Sequence, residues 1–153
     1  MKVAIGYDHA GAPLAETVRE TLGQLGHEVV DTGQSNDYPN VAFAVGKDVA
    51  TGDVDRGIIL CGSGAGVAVA ACKIPGIRAA CAHDHYTAGQ CVSHDDVNVL
   101  CLGARVVGTA VATELVEAFM ATEFSGEERH LRRLGKVNQI EADGLDTTLE
   151  PAP

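Results

Sequence analysis

Cys61-Gly62-Ser63-Gly64-Ala65-Gly66 is the segment of this 153-residue chain best equipped for chemistry. It follows the apolar run Gly57-Ile58-Ile59-Leu60 and precedes an Ala/Val-rich stretch, so a thiol and a hydroxyl sit on a strand-to-helix turn. Glycines at alternate positions let backbone N–H groups approach a ligand, and the positive end of the following helix favours negative charge. A helix N-terminus is also where a thiolate is stabilised, so Cys61 reads as a reactive sulfur beside an anion site. Other candidates are scattered along the chain. Asp8 and His9 follow the first apolar run, and His94 lies in Ser93-His94-Asp95-Asp96-Val97-Asn98. Asp8 caps a helix as readily as it binds a ligand, and His94 fits either a solvated loop or an acid/base role. In the basic segment Arg129-His130-Leu131-Arg132-Arg133, Arg129 and Arg133 are four apart and share a helix face. They can clamp a phosphate, or pair with Glu127 and Glu128 on a solvated face.

Three common uses of a Gly-rich turn fail on the letters. A nucleotide-phosphate loop of the GxxxxGK[ST] type needs a Lys that this turn lacks. A dinucleotide site places GxGxxG after the first strand, where this chain has Gly6-Tyr7-Asp8-His9-Ala10-Gly11, and Asp31 alone reads as a turn or cap residue. A thiol phosphatase keeps an Arg six residues after its cysteine, and that position is Val67.

The elements that must position these residues follow from periodicity. Short β-branched runs predict strands at 2–7, 27–31, 56–60, 77–81 and 97–101. Amphipathic stretches between them predict helices at 11–25, 40–51, 65–73, 84–92 and 107–121, with a last helix at 126–142. This alternation predicts an α/β fold, a three-layer α/β/α Rossmann-like arrangement with a five-stranded parallel sheet. Right-handed crossovers align the carboxyl ends of the strands on one edge, which puts Asp8, His9, Cys61, Ser63, His83, Asp84 and Arg105 just after strands. Residues 1–142 read as one domain. The acidic, aperiodic tail 143–153 is expected to be mobile.

Composition sets the outer bounds. With 46% hydrophobic residues the chain can bury one real core, and a net charge of -10 argues against a nucleic-acid surface. No apolar run is long enough to span a membrane. The start Met1-Lys2-Val3-Ala4-Ile5 lacks the apolar core of a secretion signal, so a cytoplasmic location is expected. The cysteines, Cys61, Cys72, Cys81, Cys91 and Cys101, are odd in number and form no CxxC pair, so neither a zinc ribbon nor a disulfide framework is expected. All but Cys61 sit in apolar segments and read as small buried hydrophobes.

Several motifs occur together in an order that resembles the type B ribose-5-phosphate isomerases, whose family also contains the galactose-6-phosphate isomerase subunits. They are Gly6-x-Asp8-His9-Ala10-Gly11, Asp37-Tyr38-Pro39, the Cys61–Gly66 turn, Gly76-Ile77-Arg78-Ala79, His94-Asp95-Asp96-x-Asn98-Val99-Leu100, Gly103-Ala104-Arg105-Val106-Val107-Gly108 and Arg129-His130-x-x-Arg133. The similarity spans about residues 2–140. It implies interconversion of phosphorylated aldoses and ketoses through a cis-enediolate, without metal or cofactor. By this resemblance Cys61 is the base and Ser63 the hydroxyl beside it, while backbone N–H groups from Gly62 through Gly64, Ala65 and Gly66 stabilise the enediolate oxygen. His94 assists ring opening, His9, Arg129 and Arg133 hold the phosphate, Arg105 lines the same pocket, Asp8 contacts sugar hydroxyls and Tyr38 completes the wall. Some relatives carry Ser at the cysteine position with Glu four residues later; here that later position is Ala65, which leaves Cys61 as the base. The resemblance further implies a homodimer or homotetramer with shared active sites.

Two positions depart from the family pattern. Asp95 stands where Asn is usual, and an ionised carboxylate only accepts hydrogen bonds where an amide also donates. Cys72 replaces a common Asn. The leading expectation is an isomerase of D-ribose 5-phosphate and D-ribulose 5-phosphate. The alternatives are another sugar phosphate, such as erythrulose, allose or galactose phosphate, and a noncatalytic phosphosugar-binding protein.

Overall fold

The computed structural model describes residues 1–151; Ala152 and Pro153, the end of the tail, lie outside the described residues. The apolar runs form strands β1 (Lys2–Asp8), β2 (Glu28–Ser35), β3 (Arg56–Cys61), β4 (Ala79–Cys81) and β5 (Val99–Gly103). All pairings are parallel, in the order β2-β1-β3-β5-β4. The three central strands have helices on both sides, and Val3–Ile5, Ile58–Leu60 and Val99–Leu102 are completely inaccessible. This two-sided burial is why these strands read as unbroken apolar runs rather than alternating ones.

Successive residues still point to opposite faces and so feed two separate cores. Val3, Ile5, Ile58, Leu60, Leu100 and Leu102 pack with α1 (Ala12–Gln24), α4 (His85–Asp95) and α5 (Thr109–Ala121). Ala4, Ile59, Val99 and Cys101 pack with α2 (Tyr38–Thr51) and α3 (Ala65–Ala71) on the other face. The result is the expected three-layer α/β/α sandwich. Helix α6 (Glu128–Asp143) lies against α4 and buries only His130 of its own residues. A 3-10 turn at Gly144–Asp146 then sends the chain back along α6, where the Gln139 amide donates to the Thr148 carbonyl at 3.1 Å.

Element boundaries differ from expectation where single residues decide them. Helix α4 runs to Asp95 rather than ending at 92, because Asp96 adopts a left-handed conformation (φ 51°) and the N–H groups of Asp96 and Val97 close the last turn on the Val92 and Cys91 carbonyls. Asp tolerates that region better than most residues. His94 therefore stands on a helix and not in a loop. Strand β4 is three residues long, since the Asn98 side chain accepts from Arg78 N–H and donates to the Gly76 carbonyl, holding 76–78 as a loop. Strand β2 continues to Ser35 past a register shift opposite Ile5 and Gly6, so Asp31 lies within the strand and pairs with Arg19 at 2.6 Å. Cys72 is exposed rather than buried, because α3 is only seven residues long and Cys72 forms its C-terminal cap.

From β1 the chain crosses to β2 on one side of the sheet and later enters β3 on the other. The crevice above the carboxyl ends of β1 and β3 is the place where such a sheet offers a binding site.

Candidate active site

Asp8 ends β1 and Cys61 ends β3, so two polar groups meet at that crevice. Their approach depends on Gly11: a Cβ there would lie 2.7 Å from the Cys61 nitrogen, so only glycine lets the start of α1 sit against the end of β3. Asp8 is buried, and its Oδ1 accepts from the N–H groups of Ala10 and Gly11 at 2.9 Å each. The carboxylate thus shapes the first turn, but the N-terminal cap of α1 is Gly11, not Asp8. On the opposite wall the Cys61 and Gly62 carbonyls accept from Ala104 and Arg105 N–H, which ties the thiol loop to the segment after β5.

Within the loop, Gly64 takes a left-handed conformation (φ 82°) and its N–H donates to Cys61 Sγ at 3.0 Å. The Ala65 N–H donates to Ser63 Oγ at 3.3 Å. These two amides are engaged inside the loop, so the expectation that every N–H from Gly62 to Gly66 faces a ligand needs correcting. Gly66 lies in the first turn of α3, whose amides lack intrahelical partners. A cavity of about 440 Å³ opens here, and Asp8, His9, Cys61, Gly62, Ser63, Gly66, Tyr38 and Arg105 line it. The Tyr38 ring begins α2 and covers Gly66, where a Cβ would meet the ring at 3.2 Å. The Arg105 side chain runs past Gly62 and has no ion-pair partner among the described residues. A cation, an imidazole, a hydroxyl and a thiol thus face one space of monosaccharide size.

His83 and Asp84 fall after β4 as expected but do not line this cavity. The Asp84 carboxylate caps α4 through Thr87 N–H at 2.8 Å, and this bond, with one from the Thr87 hydroxyl, holds it below the usual carboxylate range. Three of the remaining thiols are not poised for chemistry. Burial pushes Cys91 up to about 11 and raises Cys81 and Cys101 above the ordinary range. Among the described residues, no three His, Cys, Asp or Glu side chains converge as a metal would require.

The other half of the expected site stands elsewhere on the protomer. Helices run back against the strands, so the last turn of α4 carries His94 and Asp95 to the amino edge of the sheet. Register pairs Gly57 with Val99 and Cys61 with Gly103, so the two edges are separated by about 13 Å of strand. Asp95 and Arg133 line a second groove of about 610 Å³ between α6 and the β4 edge, walled by Leu134, Val137 and Ile140. Arg129 pairs with Glu127 at 2.8 Å, one of the two partners a solvated face would supply. A single chain therefore brings together Asp8, His9, Tyr38, Cys61, Ser63 and Arg105, and separately places His94, Asp95, Arg129 and Arg133.

Two neighbours of His94 were not singled out in the sequence. The Gln90 side-chain nitrogen lies 2.8 Å from His94 Nδ1, and the His130 ring stacks on the His94 ring at 4.0 Å between centroids. Gln90 and His94 are four apart, a signal that becomes readable only once α4 extends to Asp95. His130 is buried, and that burial, with His94 and Arg129 nearby, holds it below the ordinary imidazole range.

Comparison with known proteins bears on what this arrangement does. The family described as Ribose/Galactose Isomerase matches residues 3–137. Ribose-5-phosphate isomerase B of Escherichia coli is 40% identical over 144 residues, covering 92% of this chain and 96% of its own. D-erythrulose-4-phosphate isomerase 2 of Mycolicibacterium smegmatis is also 40% identical, over 147 residues, with 92% and 95% covered. The solved type B ribose 5-phosphate isomerase of Trypanosoma cruzi superposes with a TM-score of 0.90 at 42% identity, covering 94% of this chain and 99% of its own.

Proposed function

Because the chain belongs to the ribose/galactose isomerase family, we propose that it interconverts D-ribose 5-phosphate and D-ribulose 5-phosphate through a cis-enediolate, with Cys61 as the base. The observation that carries this reading is the Cys61 thiol, at the carboxyl edge of β3, in the same cavity as Ser63, Asp8, His9 and Arg105. A hydrogen α to a carbonyl is a weak acid, so its removal needs a base held within hydrogen-bonding reach. The Cys61 thiolate takes the C2 hydrogen of the open-chain aldose as a proton, and the resulting thiol returns a proton to C1. The hydroxyl proton of O2 passes to O1, beside the Ser63 hydroxyl, so atoms balance without metal or redox cofactor. Charge on the enediolate oxygen is met by the Gly62 and Gly66 backbone, where a preorganised donor contributes about 3 kcal/mol. Asp8 accepts from sugar hydroxyls, Tyr38 walls the cavity, and His9 and Arg105 face the phosphate.

The residues at the opposite edge join this cavity in a dimer. In this reading His94 of the partner subunit assists opening of the furanose, and Arg129 and Arg133 of the partner subunit close on the phosphate. Helix α6 supports the arrangement: Val137 and Ile140, three apart on one helix face, are each about half exposed, an apolar strip that one protomer leaves uncovered. Among the described residues, no helix is long and apolar enough to cross a membrane, and the proposed place of action is the cytoplasm.

A four-carbon substrate is the second reading, favoured by the equal identity to an erythrulose-4-phosphate isomerase. Turnover assays in deuterated water with four-, five- and six-carbon sugar phosphates separate these readings by kcat/KM. In the same assay Cys61→Ala is expected to lose deuterium incorporation by at least about a thousandfold, the scale of a positioned base, while still binding sugar phosphate. Turnover unchanged by that substitution would remove Cys61 from the mechanism. Binding by the unsubstituted protein with no exchange on any of the sugars would point instead to a phosphosugar-binding protein.

A further inference from the structure

The surroundings of His94 constrain more than its place. Its Nδ1 lies 2.8 Å from the Gln90 side-chain nitrogen, and an amide nitrogen only donates, so this contact is a hydrogen bond when Nδ1 accepts and the ring proton is on Nε2. One face of the ring is covered by His130, whose plane is 30° from it at 4.0 Å. His130 is itself anchored. Ser125 Oγ lies 2.6 Å from its Nδ1, Ser125 N–H donates to the Ser93 carbonyl, and the Glu127 N–H donates to Ser125 Oγ. The stack is therefore tied at both ends to the last turn of α4. Among the described residues, His130 Nε2 is fully buried with no hydrogen-bond partner, a feature that folded proteins rarely retain.

We propose that Gln90 and His130 are positioning residues that hold His94 in the tautomer protonated on Nε2, with its ring plane fixed, so that its Nε2–H donates a hydrogen bond to the sugar ring oxygen during ring opening. The amide sets the tautomer, and the stacked ring sets the orientation. This rests on the isomerase reading and extends it, because it assigns which ring nitrogen meets the sugar ring oxygen. As the hemiacetal opens, the C1 hydroxyl proton passes through water to the ring oxygen, which becomes the C4 hydroxyl, and a hydrogen bond from His94 Nε2–H stabilises the charge on that oxygen while His94 keeps its proton. Such a donor matters only for a substrate that cyclises. A pentose 5-phosphate forms a furanose through its C4 hydroxyl. In a tetrulose 4-phosphate the terminal hydroxyl is esterified and the sugar stays open.

The test uses the full chain in its native assembly, labelled with 15N in the histidine rings, with His94→Asn used to assign the His94 signals. The expected spectrum shows His94 protonated on Nε2. Gln90→Glu offers a carboxylate acceptor to Nδ1 and is expected to move the proton there. It should also lower the ratio of kcat/KM for ribose 5-phosphate to that for erythrulose 4-phosphate by about tenfold or more, within what the loss of one preorganised hydrogen-bond donor costs. His130→Ala is expected to lower the same ratio, and His130→Phe, which restores a ring at that position, to recover it. An Nδ1-protonated His94 in the unsubstituted protein would overturn the assignment, as would a ratio unmoved by both Gln90→Glu and His130→Ala. If the unsubstituted protein turns over neither sugar phosphate, the isomerase reading fails and the nitrogen spectrum alone decides the tautomer.

Discussion

Asp95 is the residue whose charge runs against its surroundings. It shares a groove with Arg133, yet no hydrogen bond or ion pair joins the two among the described residues. In the proposed site, an exposed carboxylate beside a phosphate dianion repels the ligand through water, an effect worth about 0.5–1 kcal/mol at such exposure and weakened by salt. In the type B isomerases that the chain resembles, an amide usually stands there. Asp95→Asn is therefore expected to lower KM for a sugar phosphate by roughly two- to fivefold at low ionic strength, from that same range of energies, with the gain shrinking as salt is added. Steady-state kinetics at two salt concentrations check this. A KM that does not move at low salt would place Asp95 outside the field of the bound phosphate. The contrast with Cys61 is instructive: its sulfur has an N–H donor 3.0 Å away, whereas among the described residues no donor meets the Asp95 carboxylate.

At the scale of elements, the site depends on backbones that touch. A Cβ at Gly103 would lie 2.6 Å from the Ser63 carbonyl carbon, and one at Gly11 would strike the end of β3. Neither clash can be relieved by turning a side chain. Gly11→Ala is expected to cost about 3 kcal/mol of stability, at the upper end of overpacking, and to displace the Cys61 loop. Urea unfolding should show a lower midpoint, and a midpoint equal to that of the parent would mean that α1 and β3 can move apart freely. The sequence announced the strand-loop-helix units because buried parallel strands are continuous apolar runs and glycines mark their turns. It therefore placed Asp8, Cys61, Ser63 and Arg105 correctly at one edge. It did not announce that α4 continues to Asp95, since that depends on one aspartate adopting a left-handed cap. Nor did it announce the His94–His130 stack, because the two rings are joined by tertiary packing of α6 on α4, which leaves no periodicity to read.

At the scale of the molecule, the separation of Cys61 from His94 is the strongest argument for shared sites. Both lie near β3 and β5 in sequence order but at opposite ends of those strands, and the sheet between them is solidly packed. No rearrangement of loops closes that gap within one protomer. In the proposed dimer, a twofold axis that sets the α6 face of one chain over the carboxyl edge of another would close it, and would do so twice, since a twofold interface repeats every contact. This arrangement makes complementation a direct test. Cys61→Ala and His94→Asn are each expected to be severely impaired alone with ribose 5-phosphate. In a dimer that pairs the two variants, one site carries both defects and the other carries neither. With equal amounts dissociated and reassociated at random, half of the dimers are mixed and each has one intact site. The recovered activity should approach about a quarter of that of the unsubstituted protein. If each protomer instead builds its own complete site, mixing creates no intact site and activity stays at the level of the separate variants.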